Sequence, residues 1–144
     1  MSVKQISVFL ENKPGTLNAM TEVLSKNNID IRAFSLAESS DFGIARLIVD
    51  DAYEAGNVLK DAGFVNSLTP VLAAEIPDEA GGLNKLLQIF TEGRVNVEYM
   101  YASLGGAKSD KAYMIFRVSD TKAAETALNG KGVRLLDQED VAGL

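Results

Sequence analysis

The chain repeats itself. Shifting the sequence by 66 positions places Gly15 on Gly81, Leu17-Asn18 on Leu83-Asn84, Asn27 on Gly93 and Ile29-Asp30-Ile31 on Val95-Asn96-Val97. Farther along the shift becomes 69, with Asp51 on Asp120, Leu59 on Leu128 and Gly63 on Gly132. The three-residue change falls in a hairpin loop, where insertions are tolerated. Turn, cap and strand residues coincide in order, which marks a duplicated supersecondary unit rather than two generic α/β stretches. The expected domains are therefore residues 1–69 and 70–144, each of a size at which a single core is marginal.

Periodicity supplies the contents of one unit. Ile6, Val8 and Leu10 alternate with Gln5, Ser7 and Phe9, which predicts a strand over Val3 to Leu10. After the turn residues Glu11 to Gly15, the positions Leu17, Met20, Val23 and Leu24 recur at helical spacing until Asn27-Asn28 offers a left-handed cap. Ile29–Leu36 and Ile44–Val49 read as a hairpin around Ser39 to Gly43. Asp50 or Asp51 caps a helix through Ala55, Val58, Leu59 and Ala62; Gly63 stops it, and Phe64–Leu68 returns to strand. After Thr69-Pro70 the order βαββαβ starts again: strand Val71–Ile76, a helix through Leu83, Leu86, Leu87 and Phe90 capped by Gly93, strands Val95–Ser103 and Tyr113–Val118, and a helix behind Asp120. A βαββαβ unit places both helices on one face of a four-stranded antiparallel sheet, so the expected fold class is α+β, two tandem ferredoxin-like units.

Composition removes whole classes of chemistry. The sequence has no cysteine and no histidine, so the thiol nucleophile, the usual general base near neutral pH and the usual zinc ligands are missing. No cofactor and no metal are expected. A net charge of −6 with scattered Lys and Arg gives no footprint for nucleic acid. No apolar run reaches the ~18–20 residues of a spanning helix, and residues 1–5 do not open a secretory signal, so no membrane partner and a cytoplasmic location are expected. Acid pairs such as Glu38 with Asp41, Asp50-Asp51, and Asp137 with Asp140 sit at turns, where capping or solvation is the stronger reading. Gly105-Gly106-Ala107-Lys108-Ser109 lacks the order of a phosphate loop and reads as a hairpin loop.

Chemistry concentrates at the first strand-to-helix turn of each unit. Glycine there lets backbone approach a ligand, and the unpaired N–H groups of the first helical turn, with the helix dipole, favour a carboxylate. Gly15-Thr16-Leu17 and Gly81-Gly82-Leu83 are so placed. Asp30 or Asn96, at the start of the next strand, would hold an α-amino group, and together these groups match a zwitterion. The plainer reading, that the glycines only permit a tight turn, stands beside it.

The segment Phe9-Leu10-Glu11-Asn12-Lys13-Pro14-Gly15-Thr16-Leu17, followed after the helix by Asn28-Ile29-Asp30-Ile31, resembles the signature of the ACT domain. In that family an acidic or Asn residue, one variable residue and Pro-Gly-x-Leu lead into the first helix, and Ile-Asn-Ile opens the second strand. The second unit keeps less of the pattern: Ala80 stands where Pro is usual, while Asn96 keeps the Asn that Asp30 replaces. The resemblance spans nearly the whole chain twice. It implies a regulatory module rather than an enzyme, binding a small amino acid at the interface of paired domains, acting as a homodimer and signalling to a partner enzyme or regulator. Carried over to this sequence, the ligand-binding positions are Asn12, Lys13, Pro14, Gly15, Thr16, Leu17, Asp30 and Ile31 in the first unit. In the second they are Asp78, Glu79, Ala80, Gly81, Gly82, Leu83, Asn96 and Val97. A ligand-free interaction module and a small enzyme on the same scaffold are the alternatives, since fold does not fix function.

Overall fold

A computed structural model describes residues 2–105 and 110–144. The chain divides into two compact units, one of Lys4–Thr69 and one built on Pro70–Leu144. The first contains β1 (Val3–Glu11), α1 (Thr16–Lys26), β2 (Ile31–Glu38), β3 (Phe42–Val49) and α2 (Ala52–Asp61), and ends in β4 (Asn66–Pro77), whose later residues open the second unit. There follow α3 (Gly82–Glu92), β5 (Val97–Ala102), β6 (Lys111–Val118), α4 (Thr121–Gly130), β7 (Leu135–Leu136) and α5 (Gln138–Ala142).

Within the first unit β3 pairs antiparallel with both β1 and β2, in registers such as Ile6↔Leu47 and Phe34↔Leu47. Beside β1, the Phe9 N–H donates to the Val65 carbonyl at 3.0 Å. Within the second unit β6 pairs antiparallel with β4 and β5, and β7 adds to β4 at Ala73 and Ala74. The same bond recurs, Glu75 N–H to Arg134 carbonyl at 3.0 Å. Strand orders β2-β3-β1 and β5-β6-β4-β7 thus follow one plan, and the two tandem βαββαβ units are α+β and ferredoxin-like.

Each unit buries one helix-facing layer. In the first, Ile6, Val8 and Leu10 of β1 meet Met20 and Leu24 of α1 and Ala55 and Leu59 of α2. In the second, Leu72, Ala74 and Ile76 meet Leu86 and Phe90 of α3 and Ala124 and Leu128 of α4. Phe90 and Phe116 lie edge to face with centroids 5.2 Å apart and rings at 82°, an arrangement that contributes about 0.5–1.5 kcal/mol beyond area burial. Asp51 and Asp120 cap α2 and α4 by accepting from the amides of Glu54 and Ala123, both at 3.0 Å.

Two features depart from the sequence reading, and two others agree with it while adding detail. The strands expected on either side of Thr69-Pro70 are one strand, β4; its ladder with β6 begins at Leu72, so the missing N–H of Pro70 is not needed there. Gly93 is the C-cap of α3, as expected, at φ −79°, and the left-handed residue is the next one, Arg94, at φ 55°. Gly93 is small for another reason, because a Cβ there would lie 3.0 Å from the Cβ of Ala127. Gln5 and Ser7, expected on a polar face, are buried, and their side chains satisfy each other at 3.0 Å, with Ser7 also 3.3 Å from the hydroxyl of Thr69. Finally, Asp137 and Asp140 cap as expected, in a capping box, and the short helix α5 that they start adds an element to the expected order. Of the expected hairpin loop, Gly106 to Ser109 lie outside the described residues; Lys111 already belongs to β6.

Candidate functional site

The two glycine loops share one backbone conformation. Gly15 sits at φ 87°, ψ −15° and Gly81 at φ 85°, ψ −5°, the left-handed region that favours glycine. Each is the N-cap of its helix, neither helix has a side-chain cap, and neither carries an acidic residue in its first turn. The Gly15 carbonyl accepts from Ala19 at 2.9 Å and the Gly81 carbonyl from Lys85 at 3.0 Å. The amides of Leu17 and Asn18, and of Leu83 and Asn84, precede those bonds and have no intrahelical acceptor. With the positive end of the helix dipole behind them, they can accept an anion.

The loops differ in detail. In the first, the Thr16 hydroxyl is buried with no hydrogen-bond partner, Leu17 packs on the core, and Lys13 pairs with Glu11 at 3.0 Å. Pro14 is exposed. In the second, Gly82 is buried because its Cα lies under the Pro77 carbonyl, where a Cβ would come within 2.3 Å of the oxygen. Asp78, Glu79 and Ala80 are exposed, and the Asp78 amide donates to the Asp110 carbonyl at 2.9 Å. Leu83, the counterpart of Leu17, is 38% exposed.

Asp30 and Ile31 do not join this group within their unit. Strand β2 starts at the far end of α1, and eleven helical residues put about 16 Å between them and Gly15 at 1.5 Å per residue. Asn96 and Val97 stand in the same relation to Gly81. Asp30 is also engaged: its carboxylate accepts from Arg32 Nη1 at 2.8 Å and its amide donates to Asp50 Oδ1 at 3.0 Å. Asp30 and Ile31 instead line an open cleft of about 920 Å³ along α1, with Asn18, Thr21, Glu22 and Asp50. Both strands bulge just past these positions, at Arg32 and Glu98.

What does lie beside the first loop is the end of β2. The Asn12 side chain donates to Glu38 Oε2 at 3.3 Å and to the Ser39 carbonyl at 3.2 Å, while its amide donates to the Asp41 carbonyl at 2.9 Å. Glu38 therefore belongs to the loop's surroundings, although its place in the sequence suggests a solvated turn acid. Strand direction brings it there: β1 and β2 both run antiparallel to β3, so they end on the same side. Among the described residues no group of three acidic side chains is placed to hold a metal ion, and no helix is long and apolar enough to cross a membrane.

A family model described as "ACT domain pair" matches residues 1–144. Among solved structures, the chain is similar to protein BT0572 from Bacteroides thetaiotaomicron, at 40% identity and a TM-score of 0.93, covering 100% of this chain and 98% of that one. It shares the fold of the ligand-free regulatory subunit of aspartate kinase from Thermus thermophilus, at 19% identity, TM-score 0.68 and 90% coverage of each chain. The corresponding subunit from Thermus flavus gives 19% identity and a TM-score of 0.61, over 88% of this chain and 90% of that one. A comparison with curated proteins found no match.

Proposed function

Because the chain belongs to the family of ACT domain pairs, we propose that it is a stand-alone regulatory module that binds a small amino acid and passes the signal to a partner enzyme or regulator. The observation that carries this reading is the pair of uncapped helix N-termini behind left-handed glycines, repeated at Gly15 and Gly81. The ligand carboxylate sits on the amides of Leu17-Asn18 or Leu83-Asn84. Since Asp30 and Asn96 lie a helix length away in their own units, they serve the α-amino group only when presented by a second copy of the chain. This makes a homodimer part of the proposal. The resemblance to aspartate kinase regulatory subunits supports a role without turnover of its own.

A thermal-shift screen of the purified protein against the twenty amino acids tests it. A ligand at 100 times its Kd adds about 2.7 kcal/mol of stability. A shift for one or a few amino acids, together with dimerisation in sedimentation, is the expected result. No shift for any of them rejects the sensor in favour of a ligand-free interaction module, and turnover of an amino or keto acid would favour an enzyme.

A further inference from the structure

In the second unit a cleft of about 370 Å³ is walled by the first half of α3, by the end of β4 and by the loop from α4 to β7. Its size falls within the roughly 300–1,000 Å³ of small-molecule sites. Lys85, Lys111, Lys131 and Arg134 line it, against one carboxylate, Glu75. In a chain with 14 basic and 20 acidic residues, this is a local reversal of charge. Glu75 is already engaged, with Arg134 at 3.0 Å and with the Tyr113 hydroxyl. Arg134 also reaches Asp140 at 3.2 Å and Lys131 reaches Glu92 at 3.7 Å. Lys85 and Lys111 have no ion pair among the described residues.

The duplication provides an internal control. Matching backbone bonds, Phe9 to Val65 with Glu75 to Arg134, and Phe64 to Leu59 with Val133 to Leu128, set the equivalences between units. Where the second unit has Lys85, Lys111, Lys131 and Arg134, the first has Ala19, Phe42, Ala62 and Val65, and Phe9 replaces Glu75. A duplicated fold inherits its turns whatever it binds, but these charges occur in one copy only. The fold does not require them.

We propose that this cleft, which adjoins the second glycine loop at Gly82 and shares no lining residue with the first, binds a small polyanion, a phosphorylated or polycarboxylate metabolite. Two unpaired ammonium groups backed by two paired cations suit a ligand with more than one negative charge, since like charges held close together disfavour one another until a counter-charge arrives. The first turn of α3, free of acidic residues, adds its dipole on the same side.

The test is calorimetric titration of the full chain with pyrophosphate and with citrate at matched ionic strength, for wild type, Lys85→Gln/Lys111→Gln and the bystander Lys122→Gln on the exposed face of α4. Binding of either probe, weakened at least about tenfold in the double variant and unchanged in the bystander, is expected. Pyrophosphate alone would identify a phosphoryl ligand and citrate alone a polycarboxylate. Absence of binding by both, or equal weakening by Lys122→Gln, would overturn the proposal. Amino-acid binding at the first loop, which shares no residue with the cleft, is expected to persist in the double variant, so failure of one site is distinguishable from failure of the other.

Discussion

Asn18→Asp is the most informative single change at the first loop, because it drives stability and binding in opposite directions. With Gly15 as N-cap, Asn18 is the third residue of α1 and is exposed. Asp has nearly the same shape, and the bond that the Thr21 hydroxyl donates to the residue-18 carbonyl at 3.0 Å uses only the backbone of residue 18. A carboxylate in an otherwise acid-free first turn interacts favourably with the helix dipole, contributing about 0.3–1 kcal/mol. For a chain of this size that raises Tm by roughly 1–4 °C. A ligand carboxylate on the same amides would instead face a like charge at about 5 Å. The repulsion is about 0.8 kcal/mol in water and about 3 kcal/mol at an effective dielectric of 20, so Kd should rise between about 4-fold and about 200-fold. The assay is a melt of the unliganded protein followed by titration with the amino acid identified by the screen, repeated for Asn84→Asp to learn which loop is competent. If both variants gain stability while affinity is unchanged, the carboxylate does not bind at either helix N-terminus.

Other expectations follow from the same geometry. Gly82→Ala should destabilise by about 1–3 kcal/mol through the clash with the Pro77 carbonyl, read by urea unfolding. Asp120→Ala removes the cap on Ala123 and should cost about 0.5–2 kcal/mol in the same assay. Arg94→Gly relieves a left-handed non-glycine residue and should stabilise by up to about 1 kcal/mol, with a smaller gain for Asn28→Gly because Asn tolerates that region. Tyr113 is buried and held above the ordinary tyrosine range, first by desolvation and then by its hydrogen bond to Glu75 and that residue's charge. Its neutral form is favoured in the folded state, so its contribution is complete below pH ~10 and is lost as pH rises through the folded value. Ultraviolet titration of Glu75→Gln should show Tyr113 ionising at lower pH than in wild type.

Much of this molecule was legible in one dimension. The repeat shift, the alternation in β1, the helical spacing of Leu17, Met20 and Leu24, and the aspartate caps are local signals, since strand and helix periods and capping bonds involve residues near in sequence. From them come the α+β class, the duplicated βαββαβ order and the special conformation of Gly15 and Gly81. Interactions across the fold were not legible. Pro70 could not be read as part of a continuous strand, because proline's usual meaning is local while its tolerance depends on which ladder bonds are drawn. Gly93 is held small by Ala127, a neighbour 34 positions away, while the left-handed position falls on the next residue in both units, Asn28 and Arg94. Glu38 came beside Asn12 because strand direction within a sheet decides which chain ends meet, whereas the distance of Asp30 from Gly15 follows from the length of α1 alone. The cationic cleft of the second unit is the clearest case: Lys85, Lys111, Lys131 and Arg134 are scattered along the sequence, and only tertiary packing converts scattered charges into a concentrated field.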